Sequence, residues 1–379
     1  MSASSGVEGA PAGRVLSLDV FRGITIAGMI LVNNPGTWEA IYDPLEHAAW
    51  HGWTPTDLVF PFFLFIVGVS VTLALSRRAE SAGGRRDLYL KILRRAAIIF
   101  ALGLFLGGFP YFDLSTIRVP GVLQRIAVCY LVSAFIFLNT DWRRQAYIAA
   151  GLLLAYWALM TLVPVPGYGA GDLDSKEWNL AAYVDRQVFG AHVWRFAKVY
   201  DPEGVLSTLP AVSTTLAGVL TGQLLRTRRE PLEKVSAMFV AGAACFVAGW
   251  VWGLWFPVNK ALWTSSYVLV TAGLALQLLA VCYWLVDVKG YRRWAVPFVV
   301  FGTNALAVYF LAELFSNLIS TVSVGRGGRP TDLKTFLHES LFAPWGSPEG
   351  ASLAFAVCTV LLWLGVVSLL YRRRIFIKV

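Results

Sequence analysis

Ten apolar stretches, most of them near the length that crosses a bilayer, set the terms for everything else this chain can do. They run over residues 15–33, 57–76, 91–109, 118–138, 145–163, 205–225, 235–256, 263–286, 294–320 and 351–371. A hydrocarbon core about 30 Å thick takes roughly 20 apolar residues in helical form. Inside lipid the backbone has to satisfy its own hydrogen bonds, so these stretches are predicted as helices. The expectation is an all-α polytopic membrane protein with about ten transmembrane helices.

Composition agrees. Only 15% of the 379 residues are charged and 57% are hydrophobic, against about 25% charged in an average soluble domain. A net charge of +9 would suit a nucleic-acid partner if it lay on one exposed face. Instead the basic residues collect in short loops between apolar stretches, where they act as topology signals, and no nucleic-acid partner is expected. Arg14, the loops around Arg77–Arg95, Arg143–Arg144, Arg226–Lys234 and Lys289–Arg293, and the tail from Arg372 hold 21 of the 32 basic residues. All of these fall on one side. The positive-inside rule makes that side, with both termini, cytoplasmic.

Residues 1–14 read as a disordered tail and 15–379 as a single transmembrane domain, with outer loops over 34–56, 164–204 and 321–350. The stretch from Val15 has no small-residue cleavage site behind it, so it is expected to be a retained helix and not a signal peptide. Within the second outer loop, Trp178 to Tyr200 could form a short surface helix. Asp201-Pro202-Glu203-Gly204 reads as the cap of the sixth helix, with an acid, a proline in the first turn and a second acid. Cys129, Cys245, Cys282 and Cys358 all lie in apolar stretches and offer no disulfide framework.

A charge within the hydrocarbon costs at least ~2.5 kcal/mol, so each one needs a reason. Arg22 lies about seven residues into the first helix, three after Asp19. Either the two form a local ion pair, or Arg22 is a cation at the floor of a cavity open to the cytoplasm. Asn33 ends the same helix, about 16 Å away at ~1.5 Å per residue. A ligand gripped at Arg22 and reacting at Asn33 would be long and thin, like the arm of an acyl-CoA. In the fourth stretch Pro120 and Gly121 precede Gln124 and Arg125, which suggests an opened backbone lining a cavity, with snorkelling of Arg125 as the alternative. Asn304 and Glu313 share the ninth stretch, and Glu313 is expected to pair with Arg125.

The chain has four histidines, and two of them, His47 and His51, sit in a polar loop that runs straight into the second apolar stretch. Imidazole is the side chain best suited to proton transfer near neutral pH. A loop histidine beside Trp50 and Trp53 can equally be an interfacial anchor. Gly52 and Pro55 argue against a helix there, and no HExxH pattern is present, so no metal is expected.

The segments Ser17–Gly23, Val32-Asn33, His47–Pro61, Pro120–Arg125, Asp201–Gly204 and Asn259–Trp263, taken in order, resemble the heparan-α-glucosaminide N-acetyltransferase family, in its shorter, bacterial type. The resemblance implies a membrane enzyme moving an acetyl group from cytosolic acetyl-CoA to the amine of a glucosamine-type acceptor on the far side. It implies His47 as the catalytic residue, with Asn33 in support. By that likeness the chain is expected in the inner membrane of a bacterium-like cell, as a homodimer, with its site facing outward.

Chemistry extends the assignment. His47 would take the amine's proton and Asn33 would orient it or donate to the oxyanion. Asp57 would either fix the imidazole tautomer or start the second helix. Arg22, Gln124, Arg125, Asn259 and Lys260 are the expected contacts to CoA. Trp50, Trp53, Asn304 and Glu313 are the expected contacts to the acceptor. Direct transfer and an acetyl-His47 intermediate both stay open. The alternative from another class is a secondary transporter of a sugar or acidic solute, against which stand the missing internal repeat and polar residues gathered at the outer surface.

Overall fold

The computed structural model describes residues 15–79, 84–326 and 329–377; the tail expected over 1–14 lies outside them. The described chain is mostly helical. Its helices are α1 (Leu16–Asn33), α2 (Val59–Ala79), α3 (Arg85–Gly108), α4 (Val122–Asn139), α5 (Trp142–Leu162), α6 (Leu180–Phe189), α7 (Thr208–Arg226), α8 (Pro231–Trp252), α9 (Ser265–Tyr283), α10 (Val296–Thr303), α11 (Ala305–Ile319), α12 (Leu333–Leu341) and α13 (Pro348–Arg372). One hairpin, β1 (Ser323–Arg326) with β2 (Arg329–Asp332), interrupts the all-α pattern inside the third outer loop.

Each of the ten apolar stretches coincides with a helix or helix pair. Seven of the described helices are long and apolar enough to cross a membrane, or eight if the bent pair α10–α11 counts as one span. Together they make an integral membrane protein. Charge sets α3 apart: Arg85, Arg86, Asp87, Lys91, Arg94 and Arg95 crowd its first turns. α7 is set apart by polarity, since Ser213, Thr214, Thr215 and Thr221 are buried along it. Those hydroxyls bond to carbonyls one turn back or on α5 and so carry no exposed polarity.

Small residues let the central helices touch. A Cβ on Gly68 would run into the α7 backbone at Thr215, and one on Gly218 into α2 at Phe65. Gly23 of α1 and Gly302 of α10 meet backbone in the same way. Backbone approach of this kind is how helices pack where lipid supplies no hydrophobic drive.

The ninth stretch is broken. α10 and α11 meet at Asn304 with a bend of 83°. Such breaks survive at membrane depth only where other groups satisfy the freed backbone. Arg22 Nη1 donates to Gly302 O at 3.2 Å. The Asn304 side chain clasps the C-terminal tail, donating to Ile375 O at 3.1 Å and accepting from Ile377 N at 2.8 Å.

Candidate active site

The His47 loop is held by its backbone. Gly52 takes φ +94°, which suits glycine, and donates to Val258 O at 2.7 Å. That bond ties the loop to the turn before α9. There Asn259 Oδ1 accepts from Leu262 N at 2.9 Å, and the Thr264 hydroxyl, which caps α9, accepts from Asn259 N at 3.0 Å. Two segments about 200 residues apart in sequence are thereby set side by side.

The reactive groups meet on this frame. Asp57 closes a capping box with Thr54 at the entrance to α2, its Oδ2 accepting from Thr54 N and Ala48 N at 3.0 Å each. Its Oδ1 lies 2.7 Å from His47 Nδ1. One Asp57 oxygen thus starts the helix and the other contacts the imidazole. With Nδ1–H given to Asp57, Nε2 keeps its lone pair and can accept a proton. The His47 side chain is 51% exposed and that of Asp57 is 1% exposed.

Lys260, expected at CoA, stands in this cluster instead. Its Nζ is 3.2 Å from Asp57 Oδ1 and 2.9 Å from His47 Nδ1. Burial pushes its ammonium below the ordinary lysine range, while Asp57 and Glu203 pull the other way. Asn259, likewise expected at CoA, is a turn residue whose amide also reaches His51 Nδ1 at 3.3 Å. The other nitrogen of His51 meets Asp174 at 2.7 Å.

Asp201-Pro202-Glu203-Gly204 is not a helix cap. α7 begins only at Thr208, and both acids turn inward to Arg118. Asp201 is fully buried and also accepts from Trp194 N at 2.9 Å. Burial works against the charged form of Glu203, but Arg118, Arg125 and Lys260 outweigh it and hold its carboxyl below the usual range. Asp185 of α6 lies beneath, accepting from Val205 N at 2.9 Å and Asp201 N at 3.2 Å, and burial raises it to about 6. An acid pair aimed at one distant arginine carries no local periodicity, so Arg118 was invisible in the sequence.

Arg125 and Glu313 are not partners. Glu313 accepts from Asn33 Nδ2 at 2.6 Å. Among the described residues no hydrogen bond joins Asn33 to His47. Arg125 sits in the first turn of α4, which starts four residues later than expected, and at 2% exposure it does not snorkel. Its Nη2 donates to Ser207 Oγ and to Gly204 O, and its guanidinium lies over the Trp263 ring at 5.0 Å. Among the described residues, Nε and Nη1 have no hydrogen-bond partner. Gln124 is buried beside Gly103 and Gly121. Trp50 donates to Leu173 O at 2.8 Å and meets Tyr200 edge-on, whereas Trp53 is exposed.

At the other end of α1 is a cavity of about 580 Å³, lined by Arg22, Ser70, Arg95, Tyr130 and Asn304 among others. Arg22 forms the expected ion pair with Asp19 at 3.0 Å and also donates to Ser70 Oγ at 2.8 Å. Arg95, counted from sequence only as a topology charge, lies over the Tyr130 ring at 5.1 Å. Asn304 belongs to this end, away from the expected acceptor site. The lining reaches Phe63 of α2 and Ile126 of α4 but includes no residue of the His47 cluster. Between them stand Phe60 and Trp263, edge to face at 5.0 Å, and Tyr267, whose hydroxyl donates to Asp57 O at 2.5 Å. From Asp57 to Phe63 is six residues, about 9 Å at helical rise.

A family model described as heparan-alpha-glucosaminide N-acetyltransferase, catalytic, matches residues 14–254. Similar curated proteins are the heparan-alpha-glucosaminide N-acetyltransferases of Homo sapiens, 28% identical, and Mus musculus, 27% identical, each aligned over 97% of this chain. The chain spans 60% of the length of the human protein and 61% of the mouse protein.

Proposed function

Because the chain belongs to the heparan-alpha-glucosaminide N-acetyltransferase family, we propose that it is a membrane acyltransferase carrying an acetyl group from acetyl-CoA to the amine of a glucosamine-type acceptor. The observation that carries this is the His47–Asp57 pair, a half-exposed imidazole anchored through Nδ1, with Lys260 Nζ 3.3 Å from its Nε2. His47 Nε2 takes the proton from the attacking amine, and Asp57 holds the ring and balances the imidazolium. Lys260 pairs with the same Asp57 oxygen that meets His47. Asn33, braced by Glu313, faces the acceptor, with Trp50 and Trp53 offering ring faces to a sugar.

The donor enters at the opposite end. Arg22 and Arg95 give that cavity of about 580 Å³ cationic walls for a phosphate-bearing ligand. We place this end in the cytoplasm on the distribution of basic loops, with ten spans, both termini inside, and His47 facing outward. A homodimer in the inner membrane of a bacterium-like cell completes the proposal, by analogy with the family. Transfer by this route requires the Phe60–Trp263 layer to part when the donor is bound.

The test is purified full-length protein in detergent with acetyl-CoA and glucosamine. Free thiol that forms only when the amine and His47 are both present supports acyl transfer. Intact acetyl-CoA, together with gradient-driven solute uptake into vesicles, overturns it in favour of a transporter.

A further inference from the structure

Arg125 is the one side chain near the site whose surroundings are incomplete in a way that points to a ligand. It is 2% exposed, and among the described residues no carboxylate lies within ion-pairing distance of it. Glu203, the nearby acid, is committed to Arg118. Nη2 is used by Ser207 and Gly204, while Nε and Nη1 donate to nothing. Buried donors are almost always satisfied, and a buried cation even more so. The N–H groups left open here are ones the folded chain does not fill for itself.

Their arrangement says what they take. Carboxylates and phosphates are gripped by a guanidinium through two nitrogens on one edge of the fork. Both such edges include Nη2, which is already occupied. The remaining donors therefore suit a single oxygen, as in a carbonyl. Trp263, packed against the guanidinium face at 5.0 Å, holds the plane in place.

Position gives the oxygen its identity. Arg125 belongs to the same turn of α4 as Ile126, which lines the Arg22 cavity, although Arg125 itself is not part of that lining. Through Trp263 and Tyr267 it is two aromatic contacts from the backbone carbonyl of Asp57. A thioester arriving along the cavity would reach this layer with its carbonyl group first.

We infer, on the basis of the acyl transfer proposed above, that Arg125 is a catalytic residue that binds the carbonyl oxygen of the thioester and stabilises the oxyanion formed from it. The amine nitrogen attacks the carbonyl carbon, a C–N bond forms, and the C=O pair moves onto the oxygen facing Arg125. The amine proton passes to His47. Collapse restores C=O and breaks C–S, and the thiolate leaves as thiol on taking that proton from His47. Asn33 is thereby released from the oxyanion role and keeps its bond to Glu313.

The test uses two analogues of acetyl-CoA with the full-length protein in detergent. One is a ketone in which CH2 replaces the thioester sulfur, and the other a thioether with no carbonyl. Wild type is expected to bind the ketone about tenfold more tightly than the thioether, as one hydrogen bond from a charged donor allows. Arg125→Gln is expected to bring that ratio to about one while thioether affinity stays within twofold, a pattern that misfolding does not produce. Should the glutamine variant fail to fold, infrared difference spectra of the ketone on wild type must show its carbonyl stretch moved to lower frequency. A ratio near one in wild type, a ratio unchanged in Arg125→Gln, or an unshifted stretch overturns the inference and leaves the transferase standing. Failure of wild type to bind either analogue overturns the transferase itself, and this inference with it.

Discussion

Asp57 meets His47 with one carboxylate oxygen and the backbone of its own turn with the other: Oδ1 lies 2.7 Å from Nδ1, and Oδ2 accepts the amides of Ala48 and Thr54 at 3.0 Å. The orientation of the imidazole is thus set by the same box that starts α2. Asp57→Asn retains a cap but loses the charge opposite the imidazolium. It is expected to lower kcat by about 10²–10⁴-fold and, because Lys260 loses its carboxylate partner, to cost roughly 3 kcal/mol in thermal unfolding. Steady-state kinetics beside thermal unfolding separate the two effects.

Arg118 holds Asp201 and Glu203, both buried. Arg118→Gln leaves two carboxylates without their cation and is expected to cost roughly 3 kcal/mol. A lost helix cap would cost only about 1 kcal/mol. Thermal unfolding in detergent, against Arg118→Lys as the milder control, distinguishes clamp from cap.

Asp185 gives a pH dependence with a definite sign. Its folded value near 6 lies above its ordinary 3.8, because burial disfavours the charge. The folded state then binds a proton that the unfolded state releases, so the contribution is full below about pH 4 and fades as pH rises through 6. The melting point of wild type minus that of Asp185→Ala is expected to fall between pH 4.5 and 7, and a flat difference would contradict the assignment.

Asn33 and Glu313 share one hydrogen bond of 2.6 Å across α1 and α11. If Glu313 acts by bracing Asn33, Asn33→Ala and Glu313→Ala lower activity by similar factors and the double variant is scarcely worse. A double-mutant cycle on kcat/KM is expected to return a coupling of about 1 kcal/mol or more.

Val67 faces the cavity between Phe63 and Ser70. Val67→Trp fills that passage without touching the His47 cluster. It is expected to raise KM for acetyl-CoA at least tenfold and to leave KM for the amine unchanged, as initial rates with each substrate varied in turn would show.

Most of the frame was legible because length and apolarity alone force helices in lipid, and all ten stretches are found as such. The bend at Asn304 was not, since a polar residue in an apolar run looks the same whether it pairs with another helix or marks a break. In the site, His47 and Asp57 stand ten residues apart and could be linked by eye. Lys260 could not, because contacts made only in the fold, such as the Gly52–Val258 backbone bond, bring its turn alongside. Asp201-Pro202-Glu203 was misread for a clear reason. An acid and a proline ahead of an apolar run are a helix signature in water, and nothing local reveals that both carboxylates point at Arg118.

The rings at positions 60 and 263 carry a consequence of another kind. Any protein with an aqueous pit on one face and reactive polar groups on the other threatens to short-circuit the membrane that hosts it. On the topology proposed above, the packed rings of Phe60 and Trp263 stand between the two and close the path that protons and ions would take. A protein so built can sit unloaded in an energised bilayer without draining its gradient.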